Sequence, residues 1–274
     1  MARDRPGPFF VSAPAGAELE IRLNYHSTPF EYSYPLSGWE PNPGSIMVFS
    51  TDGRSMFLFE GTATGPFDVR SSYSNVIYTV TPDEDGFFSV LLPYCSTPSF
   101  GAPFVSGNTI IYNDALTTVT RYPDYFETLT SMNYLFGGCR NLTSVPDLGF
   151  TSRVRSFKGA FRACVNLVSA PWVDMSNATS VSELFYNCYK LESVPDYDTG
   201  KVTDFSYMFT SCKVLSEFPD IDTSKGTSFR STFYDCDAMT EVPIYDYSSG
   251  QNFQSFAATS DNLRTVGDLE AVLN

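Results

Sequence analysis

Residues 194–212 read VPDYDTGKVTDFSYMFTSC, and residues 218–236 read FPDIDTSKGTSFRSTFYDC. The two stretches carry nearly the same pattern 24 residues apart. It extends outward in both directions. Phe136, Phe161, Phe185, Phe209 and Phe233 are spaced 25, 24, 24 and 24 residues apart. Cys139, Cys164, Cys188, Cys212 and Cys236 keep the rhythm three residues later, and Leu142, Leu167, Leu191, Leu215 and Met239 follow three beyond those. Pro146, Pro171, Pro195, Pro219 and Pro243 complete the register. Columns held in phase over five copies mark a repeat architecture, in which one unit cannot bury a core alone and stacked units can.

Within one copy, Phe205, Met208, Phe209 and Cys212 fall at i, i+3, i+4 and i+7, the spacing of a helix face. Thr130, Thr179, Thr203 and Thr227 precede such segments and are candidate N-caps, each hydroxyl taking an orphan amide. The Leu-x-x-Val-Pro that follows reads as a short extended piece, because proline cannot donate to a ladder and biases its predecessor away from helix. Asp174, Asp198, Asp222 and Asp246, with the small polar residues after them, supply a turn. The expectation is a leucine-rich-repeat-type α/β solenoid of about six repeats over 115–274, cored by the Phe, Cys and Leu columns. Residues 115–119 look like the Leu-x-x-Val half of an initial unit. From about 250 the sixth unit keeps Phe253, Leu263 and Val266 in register. It places Ala257, Ser260 and Gly267 where Phe, Cys and Pro stood, as a C-terminal cap requires.

Ahead of the repeats the apolar period changes to two. Leu19, Ile21, Leu23 and Tyr25 alternate as in a half-buried strand. Segments 46–49 and 56–59 flank Thr51-Asp52-Gly53-Arg54, a hairpin with an Asp-Gly turn. Segments 76–80 and 87–92 flank 82–86, a second hairpin. These predict an Ig-like β-sandwich over 18–95, preceded by a flexible Pro/Gly arm (1–17) and joined to the solenoid by a connection (96–114). The expected class is therefore α+β.

The repeat, Phe-x-x-Cys-x-x-Leu-x-x-Val/Phe-Pro followed by Asp-Thr-Ser/Gly-Lys-x-Thr, resembles that of BspA-like leucine-rich-repeat surface proteins over about 115–274. That resemblance implies a curved solenoid used for adhesion and protein binding, without catalysis in the repeats. Similar repeats follow a small β-domain in virion proteins of tailed phages. There the β-domain carries a Leu-Pro-Leu-x-Ser-Gly segment and a Val-Asp-Trp-Gly-Asp-Gly turn. Tyr34-Pro35-Leu36-Ser37-Gly38 and Val48-Phe49-Ser50-Thr51-Asp52-Gly53 look like a degraded version, with the tryptophan of the turn missing.

Composition narrows the partners. With 17 Lys and Arg against 31 Asp and Glu, the formal charge is −14. Phosphate binding needs clustered cations, so nucleic acid is not an expected partner. No run reaches the roughly 20 apolar residues of a membrane span, so no membrane insertion is expected. The apolar stretch near the start, Phe9-Phe10-Val11, is too short for a secretion signal, which points to folding in a cytoplasm.

No catalytic or cofactor motif stands out. His26 is the single histidine, and no G-x-S-x-G, G-x-G-x-x-G or P-loop is present. The cysteine column admits a disulfide ladder or buried free thiols. Equivalent points on packed helices lie roughly 8–10 Å apart, beyond disulfide reach, which favours free thiols; no metal site is expected without paired ligands. The Asp columns, with Asp147, Asp196 and Asp220 beside the prolines, admit turn capping or a Ca²⁺ ladder, capping being favoured and no cofactor expected. Trp172 stands in the column of Asp147, Asp196 and Asp220, as local packing or as a contact residue. Tyr186, Tyr197, Tyr234, Tyr245 and Tyr247 would extend a binding patch around it.

The resulting expectation is a non-enzymatic virion structural protein of a tailed phage: capsid decoration, knob or fibre. It would be a homo-oligomer or multicopy, assembled in the host cytoplasm and contacting neighbouring capsid or tail proteins or a host surface. A bacterial cell-surface adhesin of BspA type is the rival reading, and a polysaccharide-cleaving enzyme the third.

Overall fold

A computed structural model describes residues 21–25, 28–32, 47–49, 55–71, 75–93, 98–101, 112–122, 128–149 and 151–262. The expected arm, His26, the segment 34–38, the Asp-Gly turn at 51–54 and Leu263, Val266 and Gly267 of the expected cap lie outside these residues. Among the described residues nine strands form: β1 (Ile21–Tyr25), β2 (Thr28–Tyr32), β3 (Met47–Phe49), β4 (Ser55–Ala63), β5 (Phe67–Ser71), β6 (Asn75–Val80), β7 (Phe87–Pro93), β8 (Pro98–Ser99) and β9 (Leu116–Arg121). They make small antiparallel sheets: β1-β2, β3-β4-β7 with β9 also on β4, and β6-β5-β8.

Among the described residues the chain is all-β, with no α-helix, and this corrects the expected α+β class. The Ig-like sandwich is not what the strands build. β3 and β4 pair as a hairpin would, Val48 opposite Met56. β6 and β7 do not pair, although a turn joins them; β6 lies on β5 and β7 on β4. Residues 115–119 are expected to open the repeats; β9 runs antiparallel to β4, with Thr118 opposite Thr62, and on its other side Thr118 bridges in parallel to Ser144 of the first copy.

The leucine-rich-repeat α/β solenoid is corrected as well, because the segments with helical spacing are ribbons of successive turns. The amides of Leu184, Tyr186 and Cys188 donate to the carbonyls of Val181, Glu183 and Phe185, three residues back. The intervening amides of Val181, Glu183, Phe185 and Asn187 donate to Asp204, Ser206, Met208 and Thr210 of the next copy. An α-helix would use every interior amide within itself. The ribbon shares its amides between the two directions and so binds one copy to the next through the backbone.

Such a ribbon needs left-handed backbone at two positions per copy, four residues apart. These are Tyr134 and Gly138, Gly159 and Ala163, Glu183 and Asn187, Tyr207 and Ser211, Ser231 and Asp235, and Ser255 and Thr259, all with φ between +53° and +84°. Each non-glycine residue there costs about 1–2 kcal/mol. The hydrogen bonds closing the ribbon offset this, at about 0.5–1.5 kcal/mol each. Parallel single-residue bridges run along the small polar column Ser131, Ser156, Ser180, Asp204, Ser228 and Asn252.

The apolar face read from the sequence is buried, although the backbone beneath it is not helical. Phe136, Phe161, Phe185, Phe209 and Phe233 stack with ring centroids 5.6, 5.9, 5.9 and 5.8 Å apart. The stack begins outside the repeats: Phe59 of β4 lies 4.7 Å from Phe100, which lies 5.2 Å from Phe136. Sheet and repeats therefore share one core. At the other end Ala257 vacates the column, and Phe256 meets Phe233 edge-on at 5.2 Å, which ends the stack. Leu142, Leu167, Leu191 and Leu215 are fully buried beside it.

Candidate binding surface

The recurring cysteine and threonine side chains bond to the neighbouring copy. The thiols of Cys164, Cys188, Cys212 and Cys236 donate to the carbonyls of Phe136, Phe161, Phe185 and Phe209, at 3.2, 3.1, 3.4 and 3.1 Å. Ser260, next in the column, donates its hydroxyl to the Phe233 carbonyl at 2.9 Å. All five thiols of the column, Cys139 included, are buried and free. The copies lie closer than packed helices, so helix spacing is not what keeps the sulfurs apart. Burial pushes every thiol of the column up, Cys236 to about 12.

Threonines take a similar part. The amides and hydroxyls of Thr179, Thr203 and Thr227 donate to the carbonyls of Arg155, Thr179 and Thr203 in the preceding copies, so these residues tie copies together and cap no helix. Asp174, Asp198, Asp222 and Asp246 each accept the amide two residues on, closing the turn. Hydrogen bonds from the Ser224 and Ser248 hydroxyls, together with those from their amides, hold the Asp222 and Asp246 carboxyls below the ordinary value. Among the described residues no cluster of three or more His, Cys, Asp or Glu is placed to hold a metal ion.

The six aromatic candidates separate into two groups. Tyr197 and Tyr247 are buried, and their hydroxyls donate to the carbonyls of Pro171 (2.9 Å) and Pro243 (3.0 Å). Tyr245 packs against the core and donates to Pro219 at 2.5 Å. These three are struts, as is Tyr122, which donates to Pro146 at 2.8 Å. Trp172 is 43% exposed, with its amide on the Asp147 carboxylate. Its indole packs beside Gly149, where an added Cβ would make an ordinary contact at 3.7 Å. Ile244, fully exposed, stands in the same column.

Tyr186 and Tyr234 lie on the ribbon, half a repeat away from the Trp172 column, and Tyr186 has company that sequence reading missed. The Arg162 guanidinium sits 4.2 Å over the Tyr186 ring and pairs with Glu183. Glu183 also receives Lys158 at 3.5 Å and the Tyr134 hydroxyl at 3.4 Å. Tyr186 meets Tyr207 edge-on at 6.3 Å, and Arg230 lies 5.4 Å over Tyr207. The result is a ribbon face of tyrosines and arginines, the composition that dominates energetic hot spots. Its sequence signal was the departure from the repeat: Arg162 and Tyr186 share a column with Gly137 and Thr210.

A cleft of about 450 Å³ lies between β5 and the start of the repeats, lined by Asp68, Arg70, Thr79, Tyr112 and Asp114 among others. Its carboxylates are engaged. Asp68 accepts from Arg70 (2.7 Å) and Thr79 (2.9 Å), and Asp114 pairs with Arg140, which itself lies 4.3 Å over Tyr112. The hydrogen bond from Arg140 holds the Asp114 carboxyl below its ordinary value, opposite to the raised value a general acid requires.

A family model described as "Mycoplasma protein of unknown function, DUF285" matches residues 124–218 and 155–266, which together cover more than half of the chain. The matched span is the repeat span, in agreement with a BspA-like repeat family. No curated protein and no solved structure matches the chain.

Proposed function

The chain belongs to the DUF285 family, and we propose that it is a non-enzymatic binding protein that displays a stack of repeats, serving as a structural component of a tailed-phage virion. The observation that supports a binding role is the division of labour within each copy. The recurring Phe, Cys and Leu columns are packed inward and the recurring Thr and Asp side chains are bonded to backbone, whereas Trp172, Tyr186, Tyr207 and Arg230 differ from copy to copy and face outward or lie half-buried. A surface varied on a uniform scaffold fits recognition of a partner by position along the stack.

The virion setting rests on the sequence resemblance of 34–38 and 48–53 and on the acidic, reduced-cysteine composition. In that setting the N-terminal part mounts the protein and the repeats face neighbouring virion proteins or the host. Co-sedimentation with assembled particles tests it: wild-type chain travels with the particles, and Trp172→Ala or Arg230→Ala lowers the bound fraction. Absence of the chain from purified particles refutes the virion setting. The description of the family by a bacterial genus favours the second reading, a cell-surface adhesin. Recovery of the chain in the surface fraction of cells that carry its gene, without particles, would support that reading instead.

A further inference from the structure

Charge is unevenly placed along the repeats. Residues 148–173 hold four cations, Arg153, Arg155, Lys158 and Arg162, and no carboxylate, in a chain of formal charge −14. Residues 231–262 hold five carboxylates and no cation. Lys158 and Arg162 are held by Glu183, and Asp235 and Asp237 of the acidic stretch hold Lys213. Arg153 and Arg155 are exposed, and neither side chain has a partner among the described residues. A turn closed by the Val154 amide on the Thr151 carbonyl (2.8 Å) has Arg153 at its tip, and buried Val154 leaves both arginines on the outside.

Beside this corner runs a strip of five extended rungs. Leu148, Val173, Tyr197, Ile221 and Tyr245 pack inward, with parallel bridges from Leu148 to Val173 and from Tyr197 to Ile221. The ten residues flanking them face away from that core, and seven are aspartate. The other three are Gly149, Trp172 and the fully exposed Ile244. Trp172 lies beside Gly149, four residues before Arg153, so it belongs to the basic corner. Ile244 stands between Asp220 of the preceding rung and Asp246 two residues on, so it belongs to the acidic end. One strip thus carries an exposed apolar residue with cations at one end and another with carboxylates at the other.

We propose that a second copy of this chain docks on the strip, the basic corner of one chain against the acidic end of the other. Three rungs separate Trp172 from Ile244, about 14 Å at the spacing of paired strands. Both face the same way, so one chain cannot close the contact on itself. Two chains laid face to face and antiparallel bring each corner onto the other's acidic end, as an isologous pair. Between the ends Lys201 and Lys225 follow Asp198 and Asp222 by three residues, so the middle of the contact is of mixed charge. Charge complementarity and the apolar pair together select the occupant. An anionic polymer would meet Arg153 and Arg155 and leave Ile244 in water, whereas a second copy covers both apolar residues. The inference rests on the proposed binding role and gives Trp172 its partner.

Sedimentation equilibrium on the purified full chain tests this without particles, so a failure here leaves the co-sedimentation test of the virion setting standing. The wild-type chain dimerises at about 0.1 mM. Raising salt from about 0.1 to 1 M weakens the dimer about tenfold or more, as the screening length falls from about 10 to 3 Å. Arg153→Glu with Arg155→Glu abolishes the dimer, and so does Asp220→Lys with Ile244→Lys. An equal mixture of these two double variants, each monomeric alone, associates again, which misfolded chains would not do. Trp172→Ala, at an exposed position, weakens the dimer about tenfold. A wild-type chain that stays monomeric overturns the proposal, as does a dimer insensitive to salt and to Trp172→Ala, or a mixture of folded variants that stays monomeric. Binding of polyglutamate to a monomeric wild-type chain, lost with Arg153→Glu and Arg155→Glu, would place an anionic polymer on the corner instead and overturn it too.

Discussion

Gly159→Ala distinguishes the ribbon from a helix by the sign of its effect. In a helix the change would raise stability by about 0.8–1.0 kcal/mol. Gly159 has φ +59°, and in left-handed backbone an alanine costs about 1–2 kcal/mol. The new methyl would also lie 2.3 Å from Tyr134 Cε1 and 2.4 Å from Cδ1. The ring has to swing away and gives up its hydroxyl contact with Glu183, worth about 0.5–1.5 kcal/mol. Reduced freedom of the unfolded chain returns about 0.4–1 kcal/mol. The net loss is about 1–2 kcal/mol, which lowers Tm by about 2–8 °C for a chain of this size. Scanning calorimetry reads it directly. Ala163→Gly, at φ +57°, is the companion: relief of strain offsets the lost methyl, so Tm stays nearly constant. A higher Tm for Gly159→Ala, together with a lower one for Ala163→Gly, would refute the ribbon and restore the helix.

Phe209→Ala removes a ring stacked on both sides, at 5.9 and 5.8 Å, and costs about 3–5 kcal/mol in urea titrations; an unchanged midpoint would dismiss the ring column as the core. Cys212→Ala leaves the Phe185 carbonyl without its second donor and opens a void, costing about 1–3 kcal/mol, whereas Cys212→Ser keeps a donor as Ser260 does and costs less. Equal losses for the two variants would remove the thiol hydrogen bond from the account. High pH tests the same column. The folded values of these thiols are raised above 9.0, so their contribution is intact below pH 9 and is lost as pH climbs toward the folded values, about 12 for Cys236. The urea midpoint therefore falls between pH 9 and 11, and a flat profile there would contradict burial of neutral thiols.

Which residues are buried was legible in the sequence; the backbone that buries them was not. Phe205, Met208, Phe209 and Cys212 are all inside, as their spacing implies. Turns closed three residues back return side chains to one face at intervals close to those of a helix, so periodicity cannot tell the two apart. The turn aspartates were readable because Asx bonding is local. The Tyr186–Arg162–Glu183–Tyr207 face was not, since it joins positions up to 45 residues apart along two ribbon columns. The tyrosines also divided against expectation: a repeated Tyr near Pro looked exposed, yet the hydroxyls of Tyr197 and Tyr245 reach proline carbonyls of the preceding copy.

Local chemistry and counting established the period, the core columns and the turns, since each depends only on residue type and on position within a copy. Whether an amide bonds within its own copy or to the next is a comparison between two hydrogen bonds of similar energy. That choice is settled only when a second copy lies alongside with its carbonyls aligned. It made the repeats all-β rather than helical and carried the ring stack back to Phe59 and Phe100.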